Sequence, residues 1–191
     1  MRRRNHALIG VSLAALMVAS ISALLALNGC TLVPVDKNDN TPPSIVIKVK
    51  GPNGQYAPAS AASFSAGSGR MDLMCIVSDP DGVQAIQLSF LGNSDSCLVD
   101  GGTIVSGSFD ILGLPGNLQQ SLVPNAQGQV PTELPLLATI SSPLTCKVFG
   151  NPTQIGAPVG AQFTVQCTGQ NWSSNPQVQG ASAALTVSVT N

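Results

Sequence analysis

The chain has 191 residues, of which 43% are hydrophobic and only 9% charged, and its formal net charge is −1. Lysine and arginine are too scarce to form the basic surface that binds nucleic acid, so no nucleic-acid partner is expected. The one histidine, His6, lies close to the N-terminus. A Ser-His-Asp or Cys-His catalytic set is therefore not expected in the body of the chain, and we predict that the protein is not an enzyme.

Residues 1–30 have the order of a bacterial targeting signal. Three arginines after Met1 precede an uncharged apolar run over residues 7–27, which ends in Leu-Asn-Gly-Cys at Cys30. This order resembles a bacterial lipoprotein signal peptide. The resemblance implies a signal peptide over residues 1–29, palmitate and related lipid at Cys30, and an outer-membrane anchor at the cell envelope, facing the periplasm or the cell surface. An uncleaved transmembrane helix is the alternative, because an apolar run of this length would span a hydrocarbon core of roughly 30 Å.

Residues 30–43 are predicted to be a lipidated tether. The stretch TLVPVDKNDNTPP contains prolines, acids and asparagines without periodicity, which is typical of an extended segment. Beyond it, about 150 residues suit a single domain, which we place at 44–191. After loss of the signal, the chain keeps five basic and nine acidic residues.

The first half of this domain predicts strands joined by turns. Apolar residues alternate with others over Ser44–Lys50, the period of a half-buried strand. Residues 51–69 are predicted to be a turn followed by a loop of small residues. Two further strands, Met71–Ser78 and Val83–Leu91, are joined by Asp79-Pro80-Asp81-Gly82, a strong turn sequence.

A second resemblance rests on four stretches, which are TPPSIVIKV, LMCIVSDPDGVQAIQLSF, FTVQCTGQNWSSN and ASAALTVSV. Together they resemble the strands of bacterial immunoglobulin-like and cadherin-like domains. The resemblance implies an all-β, immunoglobulin-like sandwich of about seven to nine strands. Residues 92–150 fit that pattern poorly: strands are predicted at 103–112, 134–140 and 144–149, and a long loop insertion is predicted near 92–135. This loop is a candidate surface for an envelope protein partner; the alternative is a variable loop without a ligand.

Four cysteines remain after Cys30, and an even number outside the cytoplasm predicts two disulfides. In the resemblance to immunoglobulin domains, Cys75 pairs with Cys167 between the sheets, which leaves Cys97 with Cys146. Two local bridges, Cys75 with Cys97 and Cys146 with Cys167, remain open as the alternative. A zinc-thiolate site is disfavoured, since no Cys-x-x-Cys pair is present.

A set of acids and asparagines raises the hypothesis of a calcium site. Asp-x-Asn-Asp-Asn at the end of the tether resembles the cadherin linker, and Asp-x-Asp in the turn resembles its partner motif. Hard cations take six to eight oxygen ligands, which carboxylates and amides supply. The alternative is a solvated segment and an ordinary turn. The residues predicted to bind Ca²⁺ are Asp36, Asn38, Asp39, Asn40, Asp79 and Asp81.

The single tryptophan, Trp172, is a candidate for stacking on a glycan or anchoring a protein partner; the alternative is that it covers the end of the core. The sequence therefore predicts a lipid-anchored envelope protein with a non-enzymatic binding or structural module, stabilised by calcium if the hypothesis holds. A carbohydrate-binding or adhesion module is the alternative. A carboxylate-dependent hydrolase is more remote, since no acid pair is placed across a cleft.

Overall fold

A computed structural model describes residues 31–93, 96–99, 103–106, 109–112, 117–148, 154–157 and 159–191; within 92–112 and 146–155 it describes the backbone alone. The signal peptide and Cys30 lie outside these ranges. The described chain is all-β. Its strands are β1 (Leu32–Pro34), β2 (Ser44–Lys50), β3 (Tyr56–Pro58), β4 (Ala61–Ser65), β5 (Arg70–Ser78), β6 (Val83–Asn93), β7 (Ser96–Val99), β8 (Thr103–Ser106), β9 (Phe109–Leu112), β10 (Leu118–Ser121), β11 (Gln129–Pro131), β12 (Glu133–Ser141), β13 (Thr145–Val148), β14 (Gln154–Gly156), β15 (Gln162–Asn171) and β16 (Gly180–Thr190).

Two sheets pack face to face and enclose the core. One has the strand order β10-β6-β15-β16-β4 and the other β12-β5-β2-β3. Neighbouring strands are antiparallel except for β16 and β4, which run parallel. Smaller sheets join β14-β13-β9, β7-β8 and β1-β11. The predicted all-β sandwich is confirmed at this level.

Alternation in β5 and β15 places one face of each strand in the core. The inward residues of β5 are Met71, Leu73, Cys75 and Val77, and every one is buried between half-exposed neighbours. In β15 the fully buried residues include Phe163, Val165 and Cys167. Because side chains alternate with a period of two, these two strands turn their apolar faces towards each other across the sandwich.

A disulfide joins Cys75 of β5 to Cys167 of β15, with the two Cα atoms 6.3 Å apart. The predicted inter-sheet bridge is therefore confirmed, and both local bridges are excluded because each required one of these cysteines. Two residues further along, Gly169 faces Val77. A Cβ built on Gly169 would lie 2.5 Å from a Val77 methyl group, so glycine allows the sheets to approach closely here. The predicted Cys97–Cys146 bridge falls on side chains that the structure does not describe.

Most predicted strands lie close to their predicted bounds, and two predicted loops contain strands. Ser44–Lys50 is β2 as predicted, and the turn between β5 and β6 closes with the Gly82 N–H donating to the Asp79 carbonyl at 3.2 Å. The small-residue loop contains β3 and β4. The region 92–135, predicted to be a long loop apart from one strand at 103–112, contains β7 to β11, and the predicted strand is divided into β8 and β9. These strands have three to five residues, too few to show an alternating pattern in the sequence.

Residues 31–43, predicted to be a free tether, lie against the sandwich. Strand β1 pairs antiparallel with β11, so that Leu32 is opposite Pro131. The Thr132 N–H donates to the Thr31 carbonyl at 2.9 Å, and the Val35 N–H donates to the Gly128 carbonyl at 3.1 Å. We call residues 31–41 the N-terminal segment.

Peptide mapping tests the disulfide. The oxidised protein, digested and analysed by mass spectrometry without reduction, should yield a peptide that links Cys75 to Cys167. Because both cysteines are fully buried, we expect this bond to resist a mild reductant until the domain unfolds. Recovery of Cys75 joined to Cys97 would contradict the packing of β5 on β15.

Candidate functional site

Two polar residues follow the disulfide at equal distances on the facing strands. Asp79 comes four residues after Cys75, and Asn171 comes four residues after Cys167. An even spacing keeps each on the inward face of its strand, roughly 13 Å beyond the disulfide. Both are 1% exposed. The alternation that builds the core therefore ends, at this edge of the sandwich, in a buried carboxylate opposite a buried amide.

The Asn171 amide joins three parts of the chain. Its Nδ2 donates to Asp39 Oδ2 at 2.7 Å, to the Thr41 carbonyl at 2.9 Å and to Asp79 Oδ2 at 3.1 Å. Its Oδ1 accepts a hydrogen bond from the Ser173 N–H at 3.1 Å. Asn171 therefore uses both ends of its side chain, which is what burial of a polar group requires.

The N-terminal segment provides Asp39, which is 5% exposed. Asp39 Oδ1 accepts hydrogen bonds from the Thr41 N–H at 2.8 Å and the Thr41 hydroxyl at 2.7 Å, so both carboxylate oxygens are bonded. The Ser173 hydroxyl donates to the Asp39 carbonyl at 2.6 Å. The Lys37 carbonyl accepts two hydrogen bonds from Ser174, one from its N–H and one from its hydroxyl, each at 2.9 Å. Backbone and side-chain contacts together hold the segment against the loop after β15.

Asp39 and Asp79 form a three-carboxylate cluster with Asp81, in which one oxygen from each residue lies within 4.8 Å of the others. The turn positions Asp81, since its N–H donates to Asp79 Oδ1 at 2.9 Å. Partial burial, and then the charges of Asp39, Asp79 and Asp36, raise the pKa of the Asp81 carboxyl above its ordinary value. Three like charges thus lie close together in a partly desolvated place.

Asp72, at the other end of β5, lies beside positive charges, in contrast to the negative charges around Asp81. Asp72 Oδ1 lies 3.2 Å from the Arg70 guanidinium, and Oδ2 lies 3.8 Å from the Lys50 ammonium. A hydrogen bond from Thr139, with smaller contributions from Arg70 and Lys50, holds the pKa of Asp72 below its ordinary value. Within the described ranges, no lysine or arginine makes an ion pair with Asp39, Asp79 or Asp81.

The structure brings together part of the predicted calcium set. Asp39, Asp79 and Asp81 form the cluster, and Asp36 is near enough for its charge to act on Asp81. The side chains of Asn38 and Asn40 are exposed; the Asn40 amide donates to the Asn38 carbonyl at 3.0 Å. The donor set has the right chemistry for a hard cation, since it consists of carboxylate oxygens with spare lone pairs.

Trp172 is half-buried, and its indole Nε1 donates to the Val83 carbonyl at 3.2 Å. The indole N–H is therefore bonded within the fold, at the start of β6. Its predicted role as a glycan or protein contact stays a prediction.

Asn171, Ser173 and Thr41 are not among the site residues predicted from the sequence. A signal was present: Phe163, Val165, Cys167, Gly169 and Asn171 share one parity, so the apolar face of β15 ends in an amide. A polar residue at an inward position needs a buried partner, and the same argument applies to Asp79 after Val77.

Comparison with protein-family models, curated proteins and solved structures finds no match to this chain. In the part of the chain that the structure describes, there is no helix of the length and apolarity that crossing a bilayer requires, and the apolar run 7–27 lies outside that part.

Replacement of Asn171 by Ala tests the role of the amide. The substitution removes one hydrogen bond from each of two buried carboxylates, and we expect a loss of roughly 3 kcal/mol of stability. Release of the N-terminal segment should also make the Lys37–Asn38 bond a faster site for trypsin, because the Lys37 carbonyl would no longer be held by Ser174. Chemical denaturation and timed proteolysis measure the two effects.

The matched control is Asn53→Ala, in an exposed turn where the Asn53 side chain accepts one hydrogen bond from Gln55. It should change the free energy of unfolding by no more than about 0.5 kcal/mol, and it should leave the rate of trypsin cleavage after Lys37 nearly unchanged. If the two variants behave alike, Asn171 does not hold the segment.

Proposed function

We propose that this protein is a lipid-anchored protein of the bacterial cell envelope, whose immunoglobulin-like domain is a non-enzymatic binding or structural module stabilised by Ca²⁺. The resemblance of residues 1–30 to a lipoprotein signal peptide supports the anchor. The strand order, together with the inter-sheet disulfide, supports the immunoglobulin-like class. The observation that carries the calcium proposal is the cluster of Asp39, Asp79 and Asp81, two of them buried and none paired with a described cation.

The contacts of the N-terminal segment favour an anchor that also orients the domain. Thr31 is one residue from the proposed acylated cysteine, and its carbonyl accepts a hydrogen bond from the Thr132 N–H. The chain between the lipid and the folded domain is then very short. The end of the sandwich that contains Asp79 and the carboxylate cluster would face the membrane, separated from it by the length of a few residues and not by an extended tether.

Charge supports a divalent ion at the cluster. Bringing three carboxylates together costs free energy unless a proton or a cation neutralises them. Ca²⁺ would be held by Asp39, Asp79 and Asp81, with Asp36 adding long-range attraction, and it would supply the positive charge that the neighbouring side chains lack. Its effect would be structural: it would join the N-terminal segment to the turn between β5 and β6.

The pH dependence has a definite sign. Because the pKa of Asp81 is raised in the folded protein, the native state binds that proton more tightly than the unfolded chain does. The resulting stabilisation is fully present below the unfolded pKa of an aspartate and is lost as pH rises through the raised value. Once pH has risen through that raised value, the Asp81 carboxyl carries its charge, and a cation has the most to contribute there.

Thermal unfolding at neutral pH with Ca²⁺ or with a chelator tests this proposal. The wild-type protein should unfold at a higher temperature in Ca²⁺. Asp81→Asn removes one ligand and one charge, so it should unfold at a higher temperature than wild type in the chelator and should show little response to Ca²⁺.

Asp72→Asn is the control, because Asp72 lies at the opposite end of β5 beside Arg70 and Lys50. It should leave the response to Ca²⁺ intact. Equal unfolding temperatures of the wild-type protein in Ca²⁺ and in chelator would refute the calcium site.

Replacement of Cys30 by Ser tests the anchor separately. Without the thiol, neither lipid attachment nor cleavage should occur, so the full-length precursor should keep residues 1–29 and should not incorporate labelled palmitate. The wild-type chain in the same cells should be shortened and labelled. A Cys30→Ser protein that is still processed and labelled would refute the lipoprotein interpretation and would have no bearing on the calcium site.

A further inference from the structure

Strand β16 is only partly covered on one side. Strand β4 pairs with Thr186–Thr190, and among the residues that the structure describes no strand pairs with Gly180–Leu185 on that side. We call Gly180–Leu185 the open edge. An uncovered strand edge presents unpaired N–H and C=O groups and is a template for another strand.

The register shows which backbone groups are free. The Val189 N–H donates to the Ala161 carbonyl and the Asn171 N–H donates to the Gln179 carbonyl, so odd-numbered residues of β16 direct their backbone groups to β15. The even-numbered residues Gly180, Ser182 and Ala184 therefore direct theirs away from β15. The next even residue agrees with this parity, since the Thr186 N–H donates to the Ser60 carbonyl on the β4 side.

The open edge lacks the usual protection. Exposed edges are normally blunted by lysine, proline or a bulge, and Gly180-Ala181-Ser182-Ala183-Ala184 contains no charge and no proline. By contrast, the edge strand β12 of the other sheet contains Pro135 and begins with Glu133. The open edge thus has no feature that opposes pairing.

An apolar groove of about 400 Å³ lies beside the open edge. It is lined by the start of β2, with Ile45 and the partly exposed Val46, by Ala183 and Ala184 of β16, and by residues 58–60, which connect β3 to β4. Strand β3 pairs with Lys48–Lys50 and the Ala59 N–H donates to the Ile47 carbonyl, so among the described residues no strand covers residues 44–46 on the same side of the sandwich. In the part of the chain that the structure describes, both sheets are therefore open along this flank.

We propose that the open edge of β16 pairs antiparallel with the same edge of a second copy of this chain, about a two-fold axis at Ser182. Such an interface uses the same patch twice, so the patch must be complementary to itself. The axis at Ser182 places Gly180 of one copy opposite Ala184 of the other, and one Ser182 opposite the other. No like charges meet, and the small side chains permit close approach of the strands.

This pairing also matches the length of the edge. It uses Gly180–Ala184 and stops before Thr186, where β4 begins. The outward backbone groups of Gly180, Ser182 and Ala184 would exchange hydrogen bonds with those of the partner copy, and the two Ser182 hydroxyls would face each other on the exposed side of the sheet. The apolar flanks beside β2 would then come together across the same axis. The inference does not depend on the proposed anchor or calcium site.

Cross-linking in the full-length chain tests the proposal. Directly opposed residues of a hydrogen-bonded pair have Cα atoms about 5.5 Å apart, a separation that a disulfide can bridge. Ser182→Cys should therefore give a disulfide-linked dimer on a non-reducing gel of the cell envelope. Leu137→Cys, at an exposed position of the edge strand β12, should remain monomeric.

Charge reversal distinguishes a second copy from a foreign strand. Two differently tagged copies of Ser182→Lys should fail to co-purify from detergent extract, as should two copies of Ser182→Glu, whereas Ser182→Lys with Ser182→Glu should co-purify as the wild-type pair does. Ser182 is exposed, so each variant should keep the unfolding temperature of the wild-type protein. The proposal is overturned by a monomeric Ser182→Cys protein, by its cross-linking to a different protein instead, or by Ser182→Lys copies that associate like wild type.

Discussion

The hydrogen bonds of one buried amide connect the N-terminal segment to the sandwich. Asn171 donates to the carboxylates of Asp39 and Asp79, which lie 132 and 92 residues away in the chain. All three groups are almost completely buried, so each would be costly without its partners. The site therefore exists only when β5, β15 and the N-terminal segment are correctly placed together.

The alternation of inward and outward side chains along β5 and β15 positions these groups. Asp79 and Asn171 each lie four residues beyond the disulfide between Cys75 and Cys167, with Val77 packed against Gly169 on the way. A side chain at position 169 would push the sheets apart, and Asp79 and Asn171 would no longer meet at 3.1 Å. The packing of Val77 on Gly169 thus sets the distance at which Asp79 and Asn171 can form their hydrogen bond. The hydrogen bonds of Asn171 in turn hold the acidic turn beside Asp39.

Much of the fold could be predicted from the sequence, because strands such as Ser44–Lys50 and Met71–Ser78 are long enough for their alternation to show. Of the short strands between residues 92 and 131, only β8 and β9 fall within a predicted strand, at 103–112; the others could not be predicted, since three or four residues give no period. The gathering of Asp39, Asp79 and Asp81 was predicted from motif resemblance. The amide that organises them was missed, because its partners are distant in sequence and only the parity of β15 marks Asn171 as buried.

The N-terminal segment is part of the folded domain, and amide hydrogen exchange of Val35 and Ser174 tests this most directly. The Val35 N–H donates to the Gly128 carbonyl and the Ser174 N–H donates to the Lys37 carbonyl, so both are held only if the segment is docked. We predict that both exchange far more slowly than in an unstructured peptide, and that Asn171→Ala accelerates both. Exchange of both amides at the rate of a free peptide in the wild-type protein would contradict the account.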